Sequence, residues 1–303
     1  MNHLQASFQG KNQFWRYLVM IVALILAANT IGALPMLFFY FKAMLTNPSV
    51  SAEIAKNPAD LTVLGVGPVT ALVLMLVPFL AVFFAYALLI KPLNERSFLQ
   101  TISGAGSFRW GRCISGTFFW ALISAFYLVF FIGLEPDNFR LNNTGSSLIP
   151  LILVTMALIP FQAGSEEIIM RGYLFQGFYR LLPRKWFPLI MTSVVFGLLH
   201  AFNPEVKDFG FMTMMPHYIL FGLVFGITTI LDDGAEIAIG AHTANNIFLS
   251  IMLTHKSSAL QTPAVYEQIN VYPWIEFTGL LVMSILFLAV LGRKYRWNPR
   301  FLV

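Results

Sequence analysis

Two adjacent glutamates and an arginine, Glu166, Glu167 and Arg171, interrupt an apolar stretch that reads FQAGSEEIIMRGYLFQGFYR over 161–180. Further on, FGLLH ends in His200, and HTANN opens with His242 and closes with Asn246. An ionised side chain in mid-bilayer costs about 2.5–3.5 kcal/mol, so residues of this kind in apolar runs point to function. A carboxylate and an imidazole that face one water can take its proton for attack on a carbonyl. An imidazole N–H and an amide one helical turn apart can then donate to the oxyanion formed. The chemistry these types permit is hydrolysis of an amide bond in or beside a bilayer. Glu166 would be the general base, His200 would position the water, and His242 and Asn246 would stabilise the oxyanion.

Helical spacing separates the two glutamates. Glu167 and Arg171 are four apart, which places them on one face as an ion pair. Glu166 lies about 100° round the helix and is expected to lack that partner. Glu167, Arg171 and Phe196 (four before His200) are therefore read as supports for the reacting groups. Other polar residues receive structural readings. Glu236 and Glu276 sit at helix starts, where the dipole and nearby water favour a carboxylate. Asp232 and Asp233 are expected to cap the helix that follows. His217 is read as structural, Asn203 as a helix end, and Asn245 as a packing residue facing away from Asn246.

The elements that must position these groups are membrane helices. Of the 303 residues 57% are hydrophobic and 11% charged, against about 25% charged in soluble domains. Eight apolar spans are predicted, near 15–41, 63–91, 111–133, 148–180, 187–203, 211–231, 234–254 and 273–292. The expectation is an all-α, polytopic integral membrane protein, with the helices around an intramembrane polar chamber. It forms one membrane domain, 1–303, with a polar segment at 1–14, a motif-bearing core at 148–254 and a basic tail at 293–303. The first span is too long for a cleaved signal peptide and reads as a retained anchor. The links 42–62 and 255–272 read as plain polar loops, and 93–112 as either a loop or a segment lying along the interface. Cys113 is the lone cysteine, so no intrachain disulfide can form.

Charge placement orients the chain. Thirteen basic residues (among them Lys11, Arg96, Arg112, Arg184, Lys294 and Arg300) fall on the side holding both termini, against Lys42, Lys56, Arg140, Lys207 and Lys256 opposite. Both termini are thus expected in the cytoplasm, with the plasma membrane as the expected location. The +5 balance is read through these loops, and no nucleic-acid partner is expected. Depth agrees with one chamber: Glu166 lies about 21 Å, His200 about 20 Å and Asn246 about 18 Å from the same side at 1.5 Å per residue.

The three patterns EExxxR (Glu166, Glu167, Arg171), FxxxH (Phe196, His200) and HxxxN (His242, Asn246) resemble, in this order, the motifs of the CAAX protease and bacteriocin-processing enzyme family. That family includes the type II CaaX prenyl endopeptidases. The resemblance covers about 148–254. It implies an eight-helix glutamate-type intramembrane endopeptidase, acting on a membrane-associated peptide or protein, prenylated or not, with the bilayer as its setting. No cofactor is expected. The alternative is zinc held by Glu166, His200 and His242, although no HExxH occurs, and Asn246 suits oxyanion donation better than metal ligation. A serine site of GxSxG type and a GxGD aspartate pair are absent. Two readings from other classes stay open: a transporter using the Glu and His residues as a proton relay, and a non-proteolytic membrane scaffold.

Overall fold

Residues 2–143 and 145–299 are described by a computed structural model. Arg300, part of the charge count, and the end of the predicted basic tail lie outside the described residues, as does Met1.

Hydropathy decides most of the architecture. Six helices are long and apolar enough to cross a bilayer. The first is broken into α1 (Phe14–Asn29) and α2 (Leu34–Met44), with Pro35 in the first turn of α2. A short α3 (Val50–Lys56) follows, and then α4 (Pro68–Asn94) and α5 (Trp110–Leu134). Next, α6 (Leu148–Glu167) passes through a π-helical stretch, Ile168–Leu174, into α7 (Phe175–Leu181) without leaving its axis. After α8 (Trp186–Leu199) and a short α9 (Pro204–Phe209) come α10 (Phe211–Asp232), α11 (Glu236–Met252) and α12 (Pro273–Tyr295). The chain is a multi-pass helical membrane protein.

Two predicted spans are shorter helices than the six. The fifth is α8, of 14 residues, and the seventh is α11, of 17. α11 is sheltered, packed against α5, α6 and α10, whereas α8 packs one face against α10 and leaves Trp186, Ile190, Leu198 and Leu199 exposed. Every residue of α11 from Glu236 to Ala244 is buried. A helix surrounded by protein need not be apolar all round, which is why the one bearing His242 and Asn246 has the weaker hydropathy. By contrast, Phe126, Val129 and Phe130 of α5, Leu153 and Met156 of α6, and Val282 and Ile285 of α12 are exposed. Those faces are what acyl chains would cover.

Close approach of α5 and α11 depends on two glycines. A methyl group on Gly240 would overlap the carbonyl of Cys113, and one on Gly116 the carbonyl of Ile237. Small residues at such a crossing let backbones touch in the way membrane helices favour. Trp120, Phe225 and Phe287 fill the adjoining core between α5, α10, α11 and α12.

The two ends of the bundle are closed differently. At the end holding the N-terminus, His3 is buried under the π-helical stretch. Its Nε2 is 2.8 Å from the carbonyl of Arg171, and its backbone N–H donates to Asp233 Oδ1 at 2.6 Å. Part of the 93–112 link packs inward at this end too, with Arg96, Thr101, Ile102 and Ser103 all buried. Asp232 and Asp233 do not cap α11, whose N-cap is Ala235. Asp232 instead pairs with Arg109 and Arg112, and Glu236, expected near water, is buried and clasped by Arg109 at 2.6 Å. At the opposite end a small sheet forms in the order β1 (Phe139–Leu141), β3 (Tyr266–Gln268), β2 (Leu253–Thr254). Its β1 and β3 run antiparallel, with Phe139 opposite Gln268, while β2 and β3 run parallel. The link 255–272 is therefore more than a loop: it supplies a strand and part of a cavity wall.

Candidate active site

A cavity of about 820 Å³ opens among α1, α4, α5, α6, α8, α10, α11 and α12. Glu166, His200, His242 and Asn246 all line it. Four separate positions in the chain, on α6, α11 and just past the end of α8, thus face one space. Its size lies in the range of ordinary ligand pockets.

Glu166 ends one turn of α6 with its Oε1 accepting from Gln162 Nε2 at 2.5 Å. The expectation that this carboxylate lacks a partner is corrected on that oxygen, because Gln162, one turn earlier on the same face, reaches it. The second oxygen, Oε2, is buried without a hydrogen bond and stands 3.8 Å from His242 Nε2. Glu167 points the other way. Its Oε2 is 3.2 Å from Arg171 Nε, and its Oε1 is 2.8 Å from His242 Nδ1. Arg171 is fully buried, donates to the carbonyl of Gly222 at 3.2 Å, and stacks its guanidinium over the Phe196 ring at 4.6 Å. Phe225 stacks on His242 at 5.4 Å. Glu167 is thus shared between a cation on its own helix and an imidazole on α11.

The π-helical stretch begins directly after Glu167 and contains Arg171. Such single-turn widenings of an α-helix occur often at functional sites.

A chain of amides fixes Glu166 from the other side. Trp120 Nε1–H donates to Asn245 Oδ1 at 3.1 Å, Asn245 Nδ2 to Asn246 Oδ1 at 3.0 Å, and Asn246 Nδ2 to Gln162 Oε1 at 2.8 Å. An indole can only donate and a carboxylate can only accept. With those two ends, each amide in between has one consistent orientation. Asn245 therefore does not face away from Asn246 but bonds to it. Neither Gln162 nor Trp120 stands out in the sequence. The signal that could have found Gln162 is its place four residues before Glu166 on the same face.

His200 caps α8, and its Nδ1 is 2.7 Å from the carbonyl of Phe196, which leaves Nε2 for the cavity. Its ring stacks on Tyr218 at 4.4 Å, and Asn203, the N-cap of α9, donates to the Tyr218 hydroxyl at 3.1 Å. The two ring nitrogens of His217 lie 3.1 Å from the Thr213 carbonyl and 2.8 Å from the Pro273 carbonyl, and the residue also lines the cavity. Beyond His200 lies Glu205, which accepts from the Ala259 N–H at 2.8 Å and whose carboxyl burial pushes above the usual range. Nearby His255 is pushed by burial down to about 4. Among the described residues, no three His, Cys, Asp or Glu side chains form a metal-ligand group.

A multi-pass helical membrane protein with a carboxylate, two imidazoles and an asparagine around one interior cavity is the class that fold and site define. Residues 145–248 match the Rce1-like family, type II CAAX prenyl endopeptidase Rce1-like. This bears out the resemblance carried by the three motifs, and the matched segment contains all of them. The Bacillus subtilis (strain 168) protein YyaK, uncharacterized, is 27% identical over 293 residues, 96% of this chain and 95% of that protein. No solved structure matches the chain.

Proposed function

We propose that the chain is a glutamate-type intramembrane endopeptidase that hydrolyses a peptide bond of a membrane-associated substrate without a metal. The observation that carries this reading is the Glu166 carboxylate, with Oε2 lacking a hydrogen bond and 3.8 Å from His242 Nε2, on the wall of a cavity shared with His200, His242 and Asn246. Glu166 takes a proton from water as the oxygen attacks the scissile carbonyl, and His200 Nε2 accepts the water's second hydrogen bond to hold it in line. The oxyanion meets the remaining N–H of Asn246 and the Nε2 of His242. Because Nδ1 of His242 faces the Glu167 carboxylate, donation from Nε2 requires the imidazolium form. Two glutamates, Arg171 and that imidazolium sum to zero charge, a balance that suits a buried quartet. When the tetrahedral intermediate collapses, the proton held by Glu166 passes to the leaving amine, the C–N bond breaks and the acid is released.

Zinc would need Glu166, His200 and His242 as a converged ligand set, which they do not form among the described residues. A proton-relay transporter or a scaffold would share the fold, but neither requires amides oriented on Glu166. The test is cleavage of lipidated and unlipidated membrane peptides by the purified protein in detergent or nanodiscs. Glu166→Gln and His200→Ala are each expected to lower turnover at least about 10²-fold while the protein stays folded. Chelators are expected to leave the wild-type rate unchanged. Equal rates for all three proteins would sink the mechanism, and inhibition by a chelator reversed by zinc would replace it with the metal reading.

A further inference from the structure

The N-terminal segment does more than close its end of the bundle. His3 is 1% exposed and reaches the backbone of the π-helical stretch, 168 residues further along the chain. Three contacts pin it there. Its N–H donates to Asp233 Oδ1 at 2.6 Å, its carbonyl accepts from Gln176 Nε2 at 2.8 Å, and its ring Nε2 lies 2.8 Å from the Arg171 carbonyl. Leu4, next in the chain, is buried against Phe175 and Ile230. Glycines stand at the two closest approaches. A methyl group on Gly104 would overlap Asp233 and the His3 backbone, and one on Gly172 the Thr101 carbonyl.

The network also fixes the tautomer of the His3 ring. Arg96 can only donate, and its Nη1 gives a hydrogen bond to Gln176 Oε1 at 2.6 Å. The Gln176 amide nitrogen then faces the carbonyls of His3 and Gln100, at 2.8 and 3.0 Å, and stands 3.4 Å from His3 Nδ1. Nδ1 is therefore the bare nitrogen, and the proton sits on Nε2, which donates to the Arg171 carbonyl. Burial holds this imidazole below its usual range and keeps it neutral.

The carbonyl it engages belongs to the residue whose guanidinium supports the site. Arg171 Nε stands 3.2 Å from Glu167 Oε2, and Glu167 Oε1 is 2.8 Å from His242 Nδ1. π-Helical backbone is rare, so a contact that bonds its carbonyl from outside favours that register over the α-helix on either side. We propose that His3 is a positioning residue for the hydrolytic site: by donating to the Arg171 carbonyl it holds the π-helical register that aims Arg171 at Glu167 and, through Glu167, orients His242. The inference rests on the peptidase reading of that site, since the rate it affects is that of hydrolysis. His3 is not among the residues that line the cavity. Its loss therefore falls on turnover and leaves substrate binding in place.

The test uses the full-length protein in nanodiscs, as wild type, His3→Gln, His3→Asn and His3→Phe. A glutamine amide nitrogen reaches the place of the imidazole Nε2, an asparagine amide only that of Nδ1, and a phenyl ring fills the space with no donor. Two readouts are taken: kcat and KM on a membrane peptide, and hydrogen–deuterium exchange of the amides in 168–176. His3→Asn and His3→Phe are expected to lower kcat about tenfold at a KM within about twofold of wild type. Both are expected to speed exchange across 168–176, while His3→Gln keeps kcat and exchange near wild type. Should His3→Phe fail to fold, the two amide variants decide. Equal kcat and equal exchange in those two overturn the proposal, and so does faster exchange with unchanged kcat, which is a structural role alone. A raised KM at unchanged kcat overturns it as well. If wild type cleaves no peptide, the peptidase reading falls alone and exchange judges the hold of His3 on the π-helical stretch. Faster exchange in His3→Asn than in His3→Gln then upholds it, and equal exchange discards it.

Discussion

Each of the two glutamates is anchored by a hydrogen bond on one oxygen, and the second oxygens differ in what they face. Glu167 bonds His242 through Oε1 and sets Oε2 3.2 Å from Arg171 Nε, whereas Glu166 bonds Gln162 through Oε1 and sets Oε2 3.8 Å from His242 Nε2. Anchoring one oxygen while leaving its twin open is how a carboxylate can be both positioned and reactive. The relay from Trp120 to Gln162 extends that positioning to a second helix, so α5, α6 and α11 are fixed relative to one another at the site. His255, on the cavity wall, offers a check on burial at this scale. Its imidazole is depressed from 6.5 to about 4, so the unfolded chain binds its proton first as pH falls. Stability is therefore complete above about pH 6.5 and declines below it, by about 1 kcal/mol between about pH 7.5 and 5.5. Thermal melts of wild type and His255→Gln are expected to diverge accordingly, with the variant losing roughly 2 °C less over that interval. Parallel pH profiles would mean that His255 is already solvated in the folded protein.

At the scale of elements, the site depends on how closely α11 lies against α5. Gly240 is one turn or less from His242, and a Cβ added there would lie 2.0 Å from the carbonyl oxygen of Cys113. Gly240→Ala must push α11 away from α5, at a cost of about 1–3 kcal/mol. A displacement of about 1 Å at His242 is enough to cost roughly 10²-fold in rate. The expected result is a protein that still folds, with a lowered melting temperature and strongly reduced turnover although every candidate catalytic residue remains. Wild-type turnover in this variant would show that the α5–α11 contact does not position the site. The short helix α11 has the same logic: its polar cargo is tolerated because α5, α6 and α10 pack around it.

At the scale of the whole molecule, the exposed apolar faces and the charge at the two ends describe how the chain would sit in a bilayer. We propose that both termini face the cytoplasm, on the strength of the basic residues gathered at that end. With Cys113 replaced by alanine, Lys256→Cys is expected to react with a membrane-impermeant maleimide on intact cells, and Arg184→Cys only after permeabilisation. The reverse pattern would invert the orientation. His3, Gln176 and Asp233 tie the N-terminal segment beneath the π-helical stretch, so this end of the bundle is closed by protein. The cavity reaches toward the other end, to Gln268 of the small sheet and the 255–260 link.

The sequence by itself determined that the chain is a bundle of apolar helices and which side chains are chemically unusual within it, because hydropathy and the cost of charge in lipid are properties of composition and spacing alone. Four-residue spacing was enough for the Glu167–Arg171 pair, since both lie on one helix. What only the tertiary structure decided is everything between helices: that His242 meets Glu167 and faces Glu166, that Gln162 and Asn246 join, that Glu236 is buried against Arg109, and that α11 is surrounded by its neighbours. Those facts depend on the crossing of segments up to 127 residues apart in the case of Arg109 and Glu236, and periodicity along one helix holds no information about which face of another will meet it.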